Sequence, residues 1–554
     1  MADGPVPVQS VQSVPTLHQA FEAARRDSPG LPFLAESAVS GGRVWSYEDA
    51  GREIDALAAR YRSAGWGAGH RVALGVGNHP RHFLHFLALN GLGASIVPLN
   101  PDHRSAELQY ALGHARVALA VCHPERAGAV RDALAADPAL AALPTVTLDR
   151  AGDAPAALPP ARAPAAVPAA AADPLRAEAA ILYTSGTTGR PKGCVLTNEY
   201  VLGAGAWYVG LGGHLRFEHG RDRLLNPLPV FHMNCGMVSL AAVILGRNCL
   251  VLPDRFHAQT WWEDCVRSQA TAFHYLGIMP PALFKQAPGE WEGRHRIRFA
   301  LGAGCDPTLH AAFEDRFGLP LVEVWGMTET GRFIANHVDP RQTDTRAFGR
   351  TAPPLQARVV DERDADVPDG VAGELLVRSA GDDPRQGFFS GYLFDDEATA
   401  TAWRGGWFHT GDVVTRDASG MLHFVDRRKD MVRRSGENIS SAEVEAVLAV
   451  HPAVLRVAVL AVADPMRDEE VMAVIVPAAG QAPDAAAATS LVRWCLERLA
   501  YYKAPGWVLF RTELPVTPTN KIQKGRIFAA GADPFAGAFD TRALKKRPGP
   551  AGPA

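Results

Sequence analysis

The segment Tyr183-Thr184-Ser185-Gly186-Thr187-Thr188-Gly189-Arg190-Pro191-Lys192-Gly193 constrains this chain more than any other. It follows the apolar run Ala179-Ala180-Ile181-Leu182 and precedes Val195-Leu196-Thr197-Asn198-Glu199. The spacing predicts a buried strand, a Gly/Ser/Thr loop and then a helix. Small residues let backbone N–H groups approach an anion, hydroxyls add donors, and a lysine adds charge, so the loop reads as a phosphate cradle. It is not a Walker A loop, because Lys192 has Pro191 before it and Gly193 after it. A chain built around such a loop needs a layered α/β fold.

The composition agrees with that. With 554 residues, 47% hydrophobic and 21% charged, the chain can bury several cores of about 150 residues each, which excludes wholesale disorder. Fifty-six basic residues against 59 acidic leave a net charge of −3, so no global field draws it to nucleic acid or an anionic membrane. The longest apolar stretches, such as 237–246, fall short of the roughly 18 residues of a membrane span. Seven cysteines without a C-x-x-C pair, and a start lacking a basic-then-apolar leader, suit a reduced, cytoplasmic protein.

Helix and strand patterns alternate from about residue 12 to 125, as in the helical VPTLHQAFEAARRDSP and the strand RVALGVGN. From about 127 to 175 the composition shifts to Ala and Pro, which reads as a surface connector. Alternation resumes to about 425 and restarts after Asp426-Arg427-Arg428-Lys429-Asp430, where a serine-capped helix opens at NISSAEVEAVLAVHP. The expected organisation is a large domain over 1–428, a small domain over 429–535, and a disordered tail over 536–554.

With the loop come further motifs in fixed order: Gly302-Ala303-Gly304, Trp325-Gly326-Met327-Thr328-Glu329, Gly406-Trp407-Phe408-His409-Thr410-Gly411-Asp412, the 426–430 segment, and Pro518-Thr519-Asn520-Lys521. Together they resemble the adenylate-forming superfamily of acyl- and aryl-CoA ligases, adenylation domains and luciferases, over about residues 15–530. The resemblance implies an α/β fold with a large N-terminal domain of α/β subdomains and a small mobile C-terminal α+β domain. It also implies ATP, Mg²⁺ and coenzyme A as cofactors and a small carboxylic acid as substrate.

The site residues are carried over on the matching positions. Thr184, Ser185, Gly186, Thr187, Thr188, Gly189 and Lys192 would hold the phosphates. Gly302, Ala303, Gly304, Glu323, Trp325, Gly326, Asp412 and Arg427 would surround adenine and ribose. Asp412 is a fitting acceptor for paired ribose hydroxyls, Trp325 offers a flat face for adenine, and Glu329 is a hard oxygen ligand suited to Mg²⁺. Lys521 would bridge acid and α-phosphate, where charge concentrates in the transition state, and Thr184 and Thr328 complete the catalytic set. Lys429 would be the hinge, and Arg433, Ser435, Gly436 and Glu437 the loop that meets CoA.

On the acid side, Pro229-Val230-Phe231-His232-Met233-Asn234-Cys235-Gly236 resembles the helix bordering the acyl pocket, with His232, Asn234, Gly326 and Met327 as its lining. The helix carries no carboxylate to meet an α-ammonium, which argues against amino-acid substrates. Its FHMN stretch is most similar to the crotonobetaine/carnitine-CoA ligase group. Three positions depart from the family pattern: Trp325 where Tyr is commoner, Asn520 where Gly is frequent, and Ser441 where Pro is usual. The absence of a carrier domain favours a soluble thiol. Loading of a separate carrier protein, a homodimer, and a catalytically silent nucleotide-binding protein stay open beside the ligase reading.

Overall fold

The computed structural model describes residues 15–39, 41–149, 158–164, 173–184, 191–427, 431–515, 522, 524–529 and 531–546. Three sheets precede residue 428 and one follows it. The first has seven strands in the order 391–392, 192–197, 178–184, 95–98, 71–75, 119–122, 145–147. The second has eight, in the order 334–335, 321–325, 299–303, 272–276, 223–225, 249–252, 32–36, 44–46. Both are parallel at their centres, and their central strands are buried along their whole length, as sheets covered on both faces must be. A five-stranded antiparallel sheet, 347–349, 422–427, 408–416, 373–379, 355–360, completes the large domain.

The small domain packs the helices Ser441–Ala449 and Ala485–Arg498 on a sheet of 437–440, 431–434, 468–477, 507–510 and 539–540, with 454–464 paired along 468–477. Val432, Val459, Val471, Ile475, Leu491 and Cys495 form a hydrophobic core of its own. The α/β large domain and α+β small domain are those the motifs implied. Among the described residues, no helix is long and apolar enough to cross a membrane.

Three expectations are corrected. The 127–175 segment is not connector throughout: Pro124–Ala135 is a helix and Thr145–Thr147 a strand at the sheet edge. Alanine is the best helix former, and here Ala127, Val130, Ala133 and Leu134 bury one face, so a composition poor in bulky side chains still makes a packed element. Second, the phosphate-loop segment does not run from strand to helix. A strand, Lys192–Thr197, folds back antiparallel on Glu178–Thr184, and only then does the helix Asn198–Gly210 begin, capped by the Thr197 hydroxyl. Third, residues 536–546 of the expected disordered tail are packed: Phe539–Asp540 pairs with Trp507–Phe510, and Lys545 is fully buried against Glu470. A lysine is buried this deeply only with a carboxylate to meet it.

Candidate active site

The strand pairing brings the two ends of the phosphate loop together, since Thr184 stands opposite Lys192. The loop residues Ser185, Gly186, Thr187, Thr188 and Gly189 lie outside the described residues. The short strand Gly391–Tyr392 runs along Lys192–Thr197 and sets Tyr392 opposite Cys194. As a result the Lys192 ammonium lies 4.6 Å from the centre of the Tyr392 ring, within cation–π range. The Tyr392 hydroxyl donates to Glu329 Oε1 at 3.0 Å, and Glu329 is buried. Burial, and then the Glu329 charge, push the Tyr392 phenol far above its ordinary value, so it stays a donor. Lys192, Tyr392 and Glu329 thus form one cluster. Thr328 is steadied by its carbonyl, which accepts the Tyr200 hydroxyl at 2.6 Å.

The nucleotide-side loops leave the carboxyl ends of neighbouring parallel strands, 272–276, 299–303 and 321–325, the usual place for a ligand in an α/β sheet. Gly302 has no room for a side chain, since a Cβ would sit 2.2 Å from the Tyr275 carbonyl oxygen. Glu323 is half-buried at the end of its strand. Its carboxylate accepts the Gly304 N–H at 2.8 Å, the Cys305 N–H at 3.0 Å and the Tyr275 hydroxyl. It therefore positions the 302–304 loop. Trp325 is also tied down: its indole N–H donates to Asp412 Oδ2 at 2.8 Å, with both residues buried. Its edge therefore fixes the plane of the carboxylate assigned to ribose. In the antiparallel register Asp412 stands opposite Arg427.

On the acid side, the chain from Asn234 to Ser239 is a turn of π-helix continued by the α-helix Leu240–Gly246. Such turns are frequent at functional sites. Gly236 permits this one, because a Cβ there would meet the Val230 carbonyl oxygen at 2.1 Å. Asn234 turns inward: its Oδ1 accepts from Asn226 Nδ2 at 3.0 Å and from His274 Nδ1 at 2.6 Å. Burial pulls His274 down to about 3, so its ring is neutral, and its other nitrogen meets the Tyr208 hydroxyl at 2.8 Å. Asn234 anchors the helix, whereas His232 stays 41% exposed at its side chain. Met327 and Gly326 follow Trp325 at the strand end, and Gly326 sits against Phe333.

The small domain reaches these same strand ends. Its hairpin, 431–434 paired with 437–440, turns at Ser435 and Gly436, both with positive φ (50° and 85°). A Cβ at Gly436 would lie 2.2 Å from Leu276 Cδ1. A Cβ at Gly304 would lie 3.8 Å from the Arg433 guanidinium, and Glu437 Oε2 is 3.4 Å from His232 Nε2. Burial alone would raise the Glu437 carboxyl, but His232 and then Lys503 hold it below its ordinary value. The structure therefore unites the 302–304 loop, His232 and the 433–437 hairpin. Lys521, Lys429 and the Arg427 side chain lie outside what is described.

Sequence reasoning missed Tyr392, Tyr275 and Asn226. Tyr275 lies on the buried strand Ala272–Leu276, where an aromatic residue reads as core, and only the pairing of 391–392 with 192–197 could have singled out Tyr392.

The family model described as AMP-binding enzyme matches residues 21–393, and the AMP-binding enzyme C-terminal domain matches 443–521. The sulfoacetate–CoA ligase of Cupriavidus necator is 31% identical over 502 residues, covering 90% of this chain and 94% of that protein. The crotonobetaine/carnitine–CoA ligase of Shigella flexneri is 30% identical over 505 residues, covering 87% and 93%. Among solved structures, the amide bond synthetase McbA from Marinactinospora thermotolerans superposes with a TM-score of 0.76 at 27% identity, covering 92% of this chain and 99% of that one. ATP-bound MatB from Rhodopseudomonas palustris gives 0.64 at 25%, covering 92% and 98%. With both domains matched and relatives aligned over most of its length, the chain belongs to the AMP-binding enzyme family.

Proposed function

We propose that this protein is an AMP-forming acid–thiol ligase. A carboxylate oxygen of the acid attacks the α-phosphorus of ATP, the bond to pyrophosphate breaks, and an acyl-AMP forms. The CoA thiol sulfur then attacks the acyl carbon, the bond to AMP breaks, and the thiol proton passes to solvent. Curated relatives named as CoA ligases, aligned over nearly the whole chain, support this reading. The observation that carries it is the seating of the 433–437 hairpin on the strand ends that hold the nucleotide-side loops. A second domain that closes on an acyl-adenylate cleft is what a thiol-transfer step requires, because the intermediate must be shielded from water.

In this reading Thr184 and Lys192 grip the triphosphate from the two ends of their loop. Asp412, held by Trp325, accepts the ribose hydroxyls, and Glu323 keeps the 302–304 loop in shape for the base. Glu329 suits Mg²⁺: one buried carboxylate beside phosphate oxygens is how this ion is usually held, and the bound ion would neutralise triphosphate charge. His232 borders the acid and is oriented by Glu437 once the small domain is seated. Lys521 is assigned to the adenylation step and Lys429 to the hinge between the two domain orientations. The seven buried thiols suit a reducing, cytoplasmic setting.

The test is pyrophosphate release over a panel of carboxylic acids headed by sulfoacetate, crotonobetaine and carnitine, with and without CoA. Acid-dependent pyrophosphate, followed by AMP and a thioester only when CoA is present, is expected. Release of ADP and phosphate, or turnover without acid, would refute the ligase reading. Adenylation with transfer only to a carrier protein or an amine would replace CoA as acceptor.

A further inference from the structure

Next to the 433–437 hairpin the two domains meet at a buried charge cluster around Lys503, which also acts on Glu437. Lys503 of the small domain is 5% exposed. Its ammonium lies 2.7 Å from Glu107 Oε1 of the large domain and 2.9 Å from Glu443 Oε1 of its own domain. The side chains of Glu107 and Glu443 are 8% and 9% exposed. Beside them Asn100 of the large domain donates to the Tyr502 hydroxyl at 2.9 Å.

The two carboxylates differ in one respect. Glu443 lies on the helix Ser441–Ala449 of the small domain and travels with Lys503 in any rigid rotation. Glu107 lies on the helix Ser105–His114 of the large domain and meets Lys503 only in the orientation that seats the hairpin on His232 and Leu276. In the seated orientation Lys503 meets two carboxylates and after a rotation only one, so the Glu107 contact favours the seated orientation, and removing the Glu107 charge there leaves Glu443 alone to match the buried ammonium. Lys503 would lose little on its own side when the domains part, since Glu443 remains. Glu107 would return to water.

We propose that Glu107 is a positioning residue: through Lys503 it selects the domain orientation in which the 433–437 hairpin faces the acid and nucleotide loops. The proposal rests on the reading above that acyl transfer runs in this orientation. Burial would lower Lys503 and raise Glu107, yet Glu443 and then Glu107 hold Lys503 charged, and Lys503 and then His103 hold Glu107 charged; Glu443, which shares the same lysine, is held above its ordinary value by burial, with Glu107 also raising it. Glu107 also accepts the Arg104 N–H at 3.0 Å, closing the N-terminus of its helix. A glutamine keeps that cap and the shape while removing the charge.

The experiment uses the full chain carrying a dye pair at the exposed positions Val371 and Val450, one on each domain, with the two half-reactions measured separately. Glu107→Lys should lower the population of the seated orientation and the rate of thioester formation from supplied acyl-AMP by about tenfold or more. Pyrophosphate release should stay within about twofold, and Glu107→Gln should give a smaller shift of the same sign. The triple exchange Glu107→Lys, Lys503→Glu and Glu443→Gln restores one ammonium facing one carboxylate across the interface without placing two carboxylates together, and should recover most of both losses. An unchanged dye-pair signal in Glu107→Lys, or a triple exchange no better than Glu107→Lys alone, overturns the proposal. A shifted signal with undisturbed thioester formation supports the selection by Glu107 and overturns the assignment of acyl transfer to this orientation. Where Glu107→Lys fails to fold, Glu107→Gln is read in the same way.

Discussion

Replacing Gly436 by alanine tests the two-step reading at its most constrained contact. Gly436 sits at φ 85°, where an L-residue costs about 1–2 kcal/mol. That cost belongs to the hairpin itself and is present whichever way the small domain faces. The second cost exists only when the hairpin is seated: the new methyl would lie 2.2 Å from Leu276 Cδ1, 3.1 Å from Cγ and 3.2 Å from Cδ2. Leucine can rotate aside, so overpacking of about 1–3 kcal/mol is the appropriate scale. That corresponds to about a five- to 150-fold slower thioester step, while adenylation should change by less than about threefold. The assay is single-turnover transfer from supplied acyl-AMP to CoA beside pyrophosphate release. Leu276→Ala then supplies the control, since removing the obstructing methyls should restore most of the transfer rate in the Gly436→Ala background. Equal losses in both half-reactions, or no recovery in the double variant, would refute the reasoning.

Other outcomes follow from the same structure. Trp325→Phe removes the indole donor to the buried Asp412, a hydrogen bond to a charged group worth about 1.5–3 kcal/mol. It should raise the KM for ATP about ten- to hundredfold, and an unchanged ATP titration would remove Trp325 as the orienting group. Lys521→Ala should slow pyrophosphate release by about 10²–10³ and spare thioester formation from supplied acyl-AMP; equal loss of both steps would count against its assignment. Burial pulls the Lys545 ammonium down to about 7 against the pull of Glu470. The unfolded chain keeps that proton to about 10.4, so it binds more protons than the folded chain between those values, and Lys545 makes stability rise with pH from about 7 to 10. Urea midpoints across that range should climb less steeply in Lys545→Met than in the parent, and identical slopes would show that Lys545 is not the titrating group.

How far the sequence reached depended on whether a residue's role follows from its chain neighbours. The strand 71–75 and the helices 17–27 and 441–449 were legible because apolar spacing and caps are local properties. The 124–135 helix was not, because an alanine-rich stretch carries little hydrophobic contrast and shows its buried face only once a neighbouring helix lies against it. The strand 192–197 was hidden for a similar reason: after a turn-rich loop, nothing local distinguishes a strand folding back from a chain entering a helix.

The same division runs through the site. The order of motifs determined the family and the fold of a large and a small domain, and set the expectation of which residues surround ATP, since each motif is contiguous and each residue type suits a chemical task. Partnership was decided by tertiary structure. Trp325 and Asp412 are 87 residues apart and Tyr392 and Glu329 are 63 apart. Glu323 and Asn234, expected around the ligands, each accept hydrogen bonds from groups that converge only in the fold. The acid helix carries no carboxylate of its own, yet Glu437 arrives beside His232 from the other domain, 205 residues away. Side-chain type fixes what a group can do, and packing between distant segments fixes what it faces. Electrostatic and hydrogen-bonding roles depend on the second as much as on the first.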